Sequence, residues 1–501
     1  MNNSSTLSEI QDFKGKYPKQ LWYLFFSEMW ERFCFYGMRG MLVVFMVDKI
    51  VGLNMNDAVA NKQYGSTQAF VYAFTFIGGL FADKILGFRK SLFWGGILMI
   101  VGSCILAFDP SHLFYVGISF TIVGTGFFKP NISSMVGQLY KDGDHRTDAG
   151  FSLFYAGINL GALIGGYLCV AVAKGDLFSS IIAENLRWNY AFGFAAVVMT
   201  ISLLTFIYTQ KTLGPIGLQP IIKTKWFEYL TYAGSLLIIP IIMKMVAKTE
   251  YTDYFMYTIG PLTLIYLIYE MRSLSKIEVQ KLGAALVFVI FSILFWAFFE
   301  QSGGSLSLFA QHNLSSDILG FHLDPNGVNN SMNSLVVILF AGLLGMLWLW
   351  LNKRKAEPNS IVKFGLGFLF LAGGFFIFYW LKNMADANGI TSLSWFSFGW
   401  FIITFGELSL SPIGMSLMTK LSPQKLQGVM MGMWFLASAY GQYVAGILGA
   451  NIASSSANST NLEALNLYCL GYKQLAIYAV ILGIVMIAIS PLVKKWMHGV
   501  K

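Results

Sequence analysis

Residues 27–40 read SEMWERFCFYGMRG. Glu28, Glu31, Arg32 and Arg39 stand here inside a run, residues 21–48, that is otherwise apolar. About 20 such residues are enough to cross a bilayer as a helix. At about 100° per residue, Glu28, Glu31, Arg32, Tyr36 and Arg39 fall on one helical face roughly 140° wide. Met29, Phe33 and Phe45 fall on the opposite face, which suits lipid or packing. A charge at the centre of a membrane helix costs roughly 2.5–3.5 kcal/mol. This face must therefore meet other charges or a watery cavity.

The composition agrees with a membrane setting. Of 501 residues, 56% are hydrophobic, 16% aromatic and 12% charged, and the mean hydropathy is +0.60. A soluble domain carries about 25% charged residues, so a soluble enzyme, a disordered chain and a nucleic-acid-binding domain are all poor readings. The formal charge of +9 is better explained by basic cytoplasmic loops than by a polyanionic partner. Cys34, Cys104, Cys169 and Cys469 lie in apolar runs without CxxC spacing, so buried free thiols are expected, with neither disulfide nor zinc. The five histidines fall at span ends or in loops, and no metal centre is expected. Residues 1–20 are polar, and the first span should be an uncleaved anchor.

Working outward from span 1, fourteen apolar runs are long enough to cross: 21–48, 64–84, 91–109, 112–139, 148–173, 188–210, 226–247, 253–272, 283–313, 328–352, 362–384, 393–421, 425–450 and 469–494. Of the 34 Lys and Arg residues, 23 fall in one alternating set of loops or at the span ends beside them, 8 in or beside the other set, and 3 (Arg32, Arg39, Lys129) well inside spans. That bias places both termini in the cytoplasm. The expected organisation is a tail (1–20), a six-helix bundle (21–210), a linker with two extra membrane helices (211–282), a second six-helix bundle (283–495) and a short tail (496–501). Spans 226–247 and 253–272 carry Glu228 and several tyrosines but no evident buried charge pair. A faint repeat links the bundles: Lys129-Pro130 lies 282 positions before Ser411-Pro412, and Phe154-Tyr155 lies 280 before Trp434-Phe435. Duplicated six-helix halves around a central site are a transporter architecture.

Seven charged residues lie well inside the spans of the two bundles, away from their ends: Glu28, Glu31, Arg32, Arg39, Lys129, Glu300 and Glu407. The cations belong to the first half alone, whereas Glu300 and Glu407 belong to the second. Such a division suits a zwitterion, with Arg32, Arg39 or Lys129 taking a carboxylate and a glutamate taking an ammonium. The same residues, in an empty carrier, can pair and act as gates. Glu300 and Glu407 are also candidate proton carriers, since a carboxyl that alternates between an apolar place and one beside a cation binds and releases a proton. Asn159 and Asn333 are mid-span amides and need partners.

Several stretches resemble one known family. Glu28-x-x-Glu31-Arg32-Phe33 with Tyr36-Gly37-Met38-Arg39 resembles the ExxER motif of the proton-dependent oligopeptide transporters (POT/PTR) of the major facilitator superfamily. Gly78–Asp83 with Gly87–Lys90 is similar to the superfamily's loop 2–3 signature. GTGFFKPNISSMVGQ (124–138), FSLFYAGINLGAL (151–163) and GELSLSPIGMSLMTKLSP (406–423) are similar to further motifs of the family.

The resemblance implies proton-coupled uptake of di- and tripeptides, and possible passage of peptide-like drugs, by alternating access. It implies no cofactor beyond the coupling proton, no enzymatic activity, and a monomer working in the plasma membrane (the inner membrane of a bacterium). Arg32 and Lys129 would hold the peptide carboxylate with Tyr36 close by. Glu407, Asn159 and Asn333 would hold the amino end. Tyr72, Trp296 and Trp434 would shape side-chain pockets, and Ser411 would complete the binding set. Glu28, Glu31, Arg32 and Glu300 would couple the proton. Arg39 with Glu300, and Lys129 with Glu407, would close the two gates. Phe35 replaces the first tyrosine of a frequent Tyr-Tyr pair, and Ser334 and Gly342 stand where prolines are common. The rival reading is a related carrier for an amino acid, nitrate or a drug.

Overall fold

The computed structural model describes residues 6–141, 143–219, 225–318, 320–410, 414–454 and 459–500. A short α1 (Leu7–Gln11) precedes α2 (Lys19–Val47), α3 (Asp57–Phe81), α4 (Phe88–Phe108), α5 (Phe114–Gln138), α6 (Thr147–Lys174) and α7 (Arg187–Thr209). Then come α8 (Trp226–Leu237), α9 (Ile239–Ala247) and α10 (Thr249–Met271), which occupy the two inserted spans. The remaining helices are α11 (Lys276–Phe299), α12 (Ser305–Asn313), α13 (Pro325–Lys353), α14 (Ser360–Trp380), α15 (Leu393–Leu410), α16 (Gly414–Leu421), α17 (Gln427–Ser454) and α18 (Asn461–Trp496). β1 (Asp317–Ile318) and β2 (Phe321–His322) form a small antiparallel hairpin. Among the described residues, every apolar run read from the sequence thus coincides with one or more helices. Among the described residues, ten helices are long and apolar enough to cross a membrane. The charged α2 is not one of the ten.

Helix ends follow from local chemistry. Ser275 with Glu278, and Thr460 with Glu463, form capping boxes at the starts of α11 and α18. Asp324 caps α13 just before Pro325. Gly175, in the left-handed region, ends α6.

The chain divides into two compact units, Met1–Asn54 with Phe70–Lys248, and Met55–Ala69 with Thr249–Lys501. In the first unit α2 packs on α6 and α7, and α4 on α5 and α7. In the second, α11 packs on α17 and α18, and α14 on α15 and α18. The partners recur in the same order, as duplicated halves would show. The Ser411-Pro412 end of the expected repeat lies outside the described residues. The inserted helices are split: α8 and α9 belong to the first unit and α10 to the second. Each is fastened by polar contacts that the sequence reading did not foresee. Glu228 on α8 pairs with Lys90 at 2.7 Å, and Asp253 on α10 pairs with Lys62 at 2.8 Å and accepts from Tyr443 Oη at 2.6 Å.

The tail expected to be only polar is docked on the first unit. Ile10 is buried with Leu139, Tyr140, Leu213 and Ile216. Gln11 Nε2 donates to the carbonyls of Gln138 and Tyr140. The Arg146 guanidinium lies 3.8 Å from the Phe13 ring centroid and donates to the Phe13 carbonyl. Hydrogen bonds from Arg146 hold the Asp144 carboxyl at about 2, below its ordinary range. This depressed value means that the pair's contribution is complete above the ordinary carboxylate range and is lost progressively as pH falls from that range through about 2.

One cysteine departs from expectation. Cys34, Cys169 and Cys469 are buried, but Cys104 is exposed on α4. An apolar sequence cannot distinguish a lipid-facing side from a core-facing one, because both are apolar.

Close helix approach rests on glycine pairs. A Cβ on Gly124 of α5 would lie 2.7 Å from the Gly95 carbonyl oxygen of α4. Gly124→Val should therefore lower the melting temperature of the purified protein, costing at least the ~1–3 kcal/mol typical of overpacking. Gly193→Ala, whose Cβ would meet only the Ala107 Cβ at 3.7 Å, should leave it unchanged.

Candidate functional site

The charged face of α2 is buried inside the first unit. Relative exposure is 2% for Glu28, 0% for Glu31 and 2% for Arg32. Met29, Phe33 and Phe45 are buried too, so their face packs against protein. Glycines of α6 make this possible: a Cβ on Gly161 would collide with the Met29 carbonyl, and one on Gly165 would lie 2.7 Å from the Phe33 Cα. The α6 backbone is thereby pressed against the turn that carries Glu31 and Arg32.

Arg32 Nε donates to Glu28 Oε1 at 2.8 Å and lies 2.7 Å from Glu31 Oε2. One guanidinium is thus shared by two carboxylates. Its Nη2, Glu28 Oε2 and both Glu31 carboxylate oxygens have no hydrogen-bond partner among the described residues. The cluster has capacity to spare for a proton or a ligand.

Aromatic faces hold the cations. The Phe35 ring lies 5.6 Å from Arg32 Cζ and 5.3 Å from Lys129 Nζ, so both charges share one ring. The Tyr72 ring lies 4.3 Å from Lys129 Nζ. The Tyr36 ring, edge-on to Phe35, lies 5.7 Å from Arg39 Cζ. Such contacts favour cations in a desolvated place. Lys129 stands just before Pro130, whose missing N–H interrupts the α5 ladder. Nearby, Asn131 Nδ2 donates to the Phe127 carbonyl at 2.6 Å and to Ser91 Oγ at 2.8 Å. Asn159, also in this unit, donates to the Tyr155 carbonyl at 2.9 Å.

The second unit holds the other predicted residues. Glu300, 3% exposed, ends α11 and opens a 3₁₀ turn, Glu300–Gly303, that the sequence reading ran through as continuous helix. Gly303-Gly304 was the overlooked signal. Asn333 Nδ2 donates to Glu407 Oε2 at 2.7 Å, so two residues assigned to the amino end do meet. Trp296 packs edge-on to Phe295 and Phe299. Trp434 is buried, and a Cβ on Gly414 would collide with its ring. Ser411 lies outside the described residues. Arg39 and Lys129 belong to the first unit, Glu300 and Glu407 to the second.

Comparison with known proteins gives a consistent picture. The sequence profile described as "POT family" matches residues 89–464. The "Uncharacterized transporter YclF" of Bacillus subtilis is 32% identical, over 100% of this chain and 99% of its own. The "Peptide transporter YePEPT" of Yersinia enterocolitica is 33% identical, over 87% and 88%. A crystal structure of "peptide transporter POT in complex with sulfate" superimposes with a TM-score of 0.83 at 30% identity, covering 99% of this chain and 100% of that one.

The α2 cluster has a direct energetic consequence. Arg32→Met leaves two buried carboxylates facing each other without their cation, a change that costs about 3–5 kcal/mol when the pair cannot relax. Thermal unfolding of the purified variant should show a marked loss of stability. Arg32→Met combined with Glu28→Gln and Glu31→Gln should recover much of it.

Proposed function

The chain belongs to the POT family, and on that premise we propose that it is a proton-coupled symporter importing di- and tripeptides by alternating access. Relatives named "Peptide transporter" and "Dipeptide and tripeptide permease" support the substrate class. The observation that carries the reading is the buried Glu28–Arg32–Glu31 cluster with its unsatisfied polar atoms. Two carboxylates against Arg32 and the neighbouring Lys129 leave the group near neutrality. A peptide carboxylate arriving at Arg32 and Lys129 adds one negative charge, and a proton on Glu28 or Glu31 offsets it. Substrate and proton thus favour each other's binding, which is the thermodynamic requirement for symport.

At the other end, Glu407 with Asn333 takes the ammonium group, and Asn159 adds a further polar contact. Tyr36, Tyr72, Trp296, Trp434 and Ser411 shape the rest of the pocket. Glu300 carries the transported proton. Its alternation with Arg39, and that of Lys129 with Glu407, opens and closes the two gates. One proton moving down about 100 mV supplies about 2.3 kcal/mol, which supports a roughly 50-fold peptide gradient. No cofactor other than the proton is required.

In this reading the chain crosses the membrane fourteen times, with both termini in the cytoplasm, and works as a monomer in the plasma membrane. The tyrosines of α10 support its crossing: Tyr254 and Tyr257 near one end and Tyr266 and Tyr269 near the other are all exposed, as interfacial anchors are.

Proteoliposomes with an inward proton gradient test the reading. Di-alanine should be accumulated and should compete with other short peptides. Competition by nitrate or a single amino acid, but not by di-alanine, would favour the rival carrier. Glu300→Gln should abolish gradient-driven uptake while leaving counterflow exchange partly intact; equal loss of both removes Glu300 as the proton site. Lys129→Ala should erase the preference for di-alanine over its C-terminal amide.

A further inference from the structure

The transport reading leaves unexplained a line of buried polar side chains between α13 and α15 in the second unit. Asn326, Asn329, Asn330 and Asn333 recur at i, i+3, i+4 and i+7, which is one face of α13. Trp400, Thr404 and Glu407 share one face of α15 by the same rule. Asn329, Trp400 and Thr404 are buried.

These side chains join into one hydrogen-bonded line. The carbonyl of Ser302, in the 3₁₀ turn that begins at Glu300, accepts from Asn329 Nδ2 at 2.7 Å. Asn329 Oδ1 accepts from Trp400 Nε1 at 3.1 Å. The Trp400 carbonyl accepts from Thr404 Oγ1 at 2.8 Å. Thr404 Oγ1 in turn accepts from Asn333 Nδ2 at 3.2 Å, and Asn333 also donates to Glu407 Oε2. The line passes through Trp400 by its indole N–H on one side and its backbone carbonyl on the other, so the covalent frame of Trp400 joins the two halves.

We propose that Thr404 is a positioning residue for the amino-end site, and that the line through Trp400 and Asn329 ties the placement of Asn333 and Glu407 to the helix break after Glu300. The Thr404 hydroxyl fixes the Asn333 amide so that Glu407 presents its carboxylate in one orientation. The break is the element able to change shape: a 3₁₀ turn inside a long helix has weaker backbone bonds than its flanks. The Ser302 carbonyl is held there by Asn329 and by Ser307 Oγ at 2.8 Å. A shift of that turn reaches Glu407 through the line, linking the expected proton site to substrate affinity. This inference rests on the transport reading above.

The experiment measures di-alanine uptake by proteoliposomes and competition by N-acetyl-di-alanine. Thr404→Val removes the hydroxyl at nearly constant shape. It should raise the KM for di-alanine roughly tenfold, about 1.4 kcal/mol, at unchanged Vmax, and shrink the preference for the free amine by a similar factor. Thr404→Ser, which keeps the hydroxyl, should restore both. Trp400→Phe, which removes the indole N–H that Asn329 accepts, should shift KM in the same direction. An unchanged KM in Thr404→Val, or failure of Thr404→Ser to rescue, overturns the positioning role. A normal KM in Trp400→Phe beside a raised one in Thr404→Val overturns the link to the break. If the unaltered protein neither transports nor binds di-alanine, the transport reading falls as well. If it transports di-alanine and all three variants match it, this inference alone falls.

Discussion

Two carboxylates sharing one guanidinium on the buried helix α2 set the terms for the rest of the molecule. Glu28, Glu31 and Arg32 are almost fully removed from solvent, where an unpaired charge would be expensive. Their pairing makes burial tolerable. It remains incomplete, because one arginine nitrogen and three carboxylate oxygens have no hydrogen-bond partner among the described residues. A purely structural ion pair would gain by satisfying those atoms. A site that must bind and release a proton and a carboxylate gains by keeping them available.

Much of the first unit serves that arrangement. Small residues bring α6 against α2 at the Met29–Phe33 turn, which locks the turn carrying Glu31 and Arg32. Phe35 presents one ring to both Arg32 and Lys129, so a single aromatic face helps place both cations beside the Glu28 and Glu31 carboxylates. A tyrosine at that position would bring a hydroxyl needing its own partner; the phenylalanine of this chain leaves the ring face as the whole of its contribution. At the edge of the same unit, the docked 6–17 segment and the Arg146–Asp144 pair tie the loops together. The ring contacts and the glycine contacts therefore serve the same end, rigid placement of two cations.

Legibility in the sequence followed the physics of each signal. The α2 face could be read because a 3.6-residue period and a high burial cost both act on adjacent residues. The helix ranges could be read because bilayer thickness fixes their length. The grouping of Asn333 with Glu407 came only from family resemblance; their hydrogen bond at 2.7 Å joins residues 74 apart, which no local period records. The break at Glu300 was missed although Glu300-Gln301-Ser302 and Gly303-Gly304 interrupt the apolar run, because apolar residues on both sides keep the average over a whole span high. The Lys90–Glu228 and Lys62–Asp253 pairs were hidden for a different reason: their partners are 138 and 191 residues apart, and no local period records them. The exposure of Cys104 escaped because lipid and core ask for the same residue types.

The central claim is that charge balance in the α2 cluster makes peptide and proton travel together. Proteoliposomes loaded with a pH-sensitive dye, at equal pH and zero potential, measure this directly when di-alanine is added outside. The account predicts that the interior acidifies at the rate at which labelled di-alanine enters, and that Glu28→Gln or Glu31→Gln separates the two rates. Entry of labelled di-alanine with no change in internal pH would contradict it.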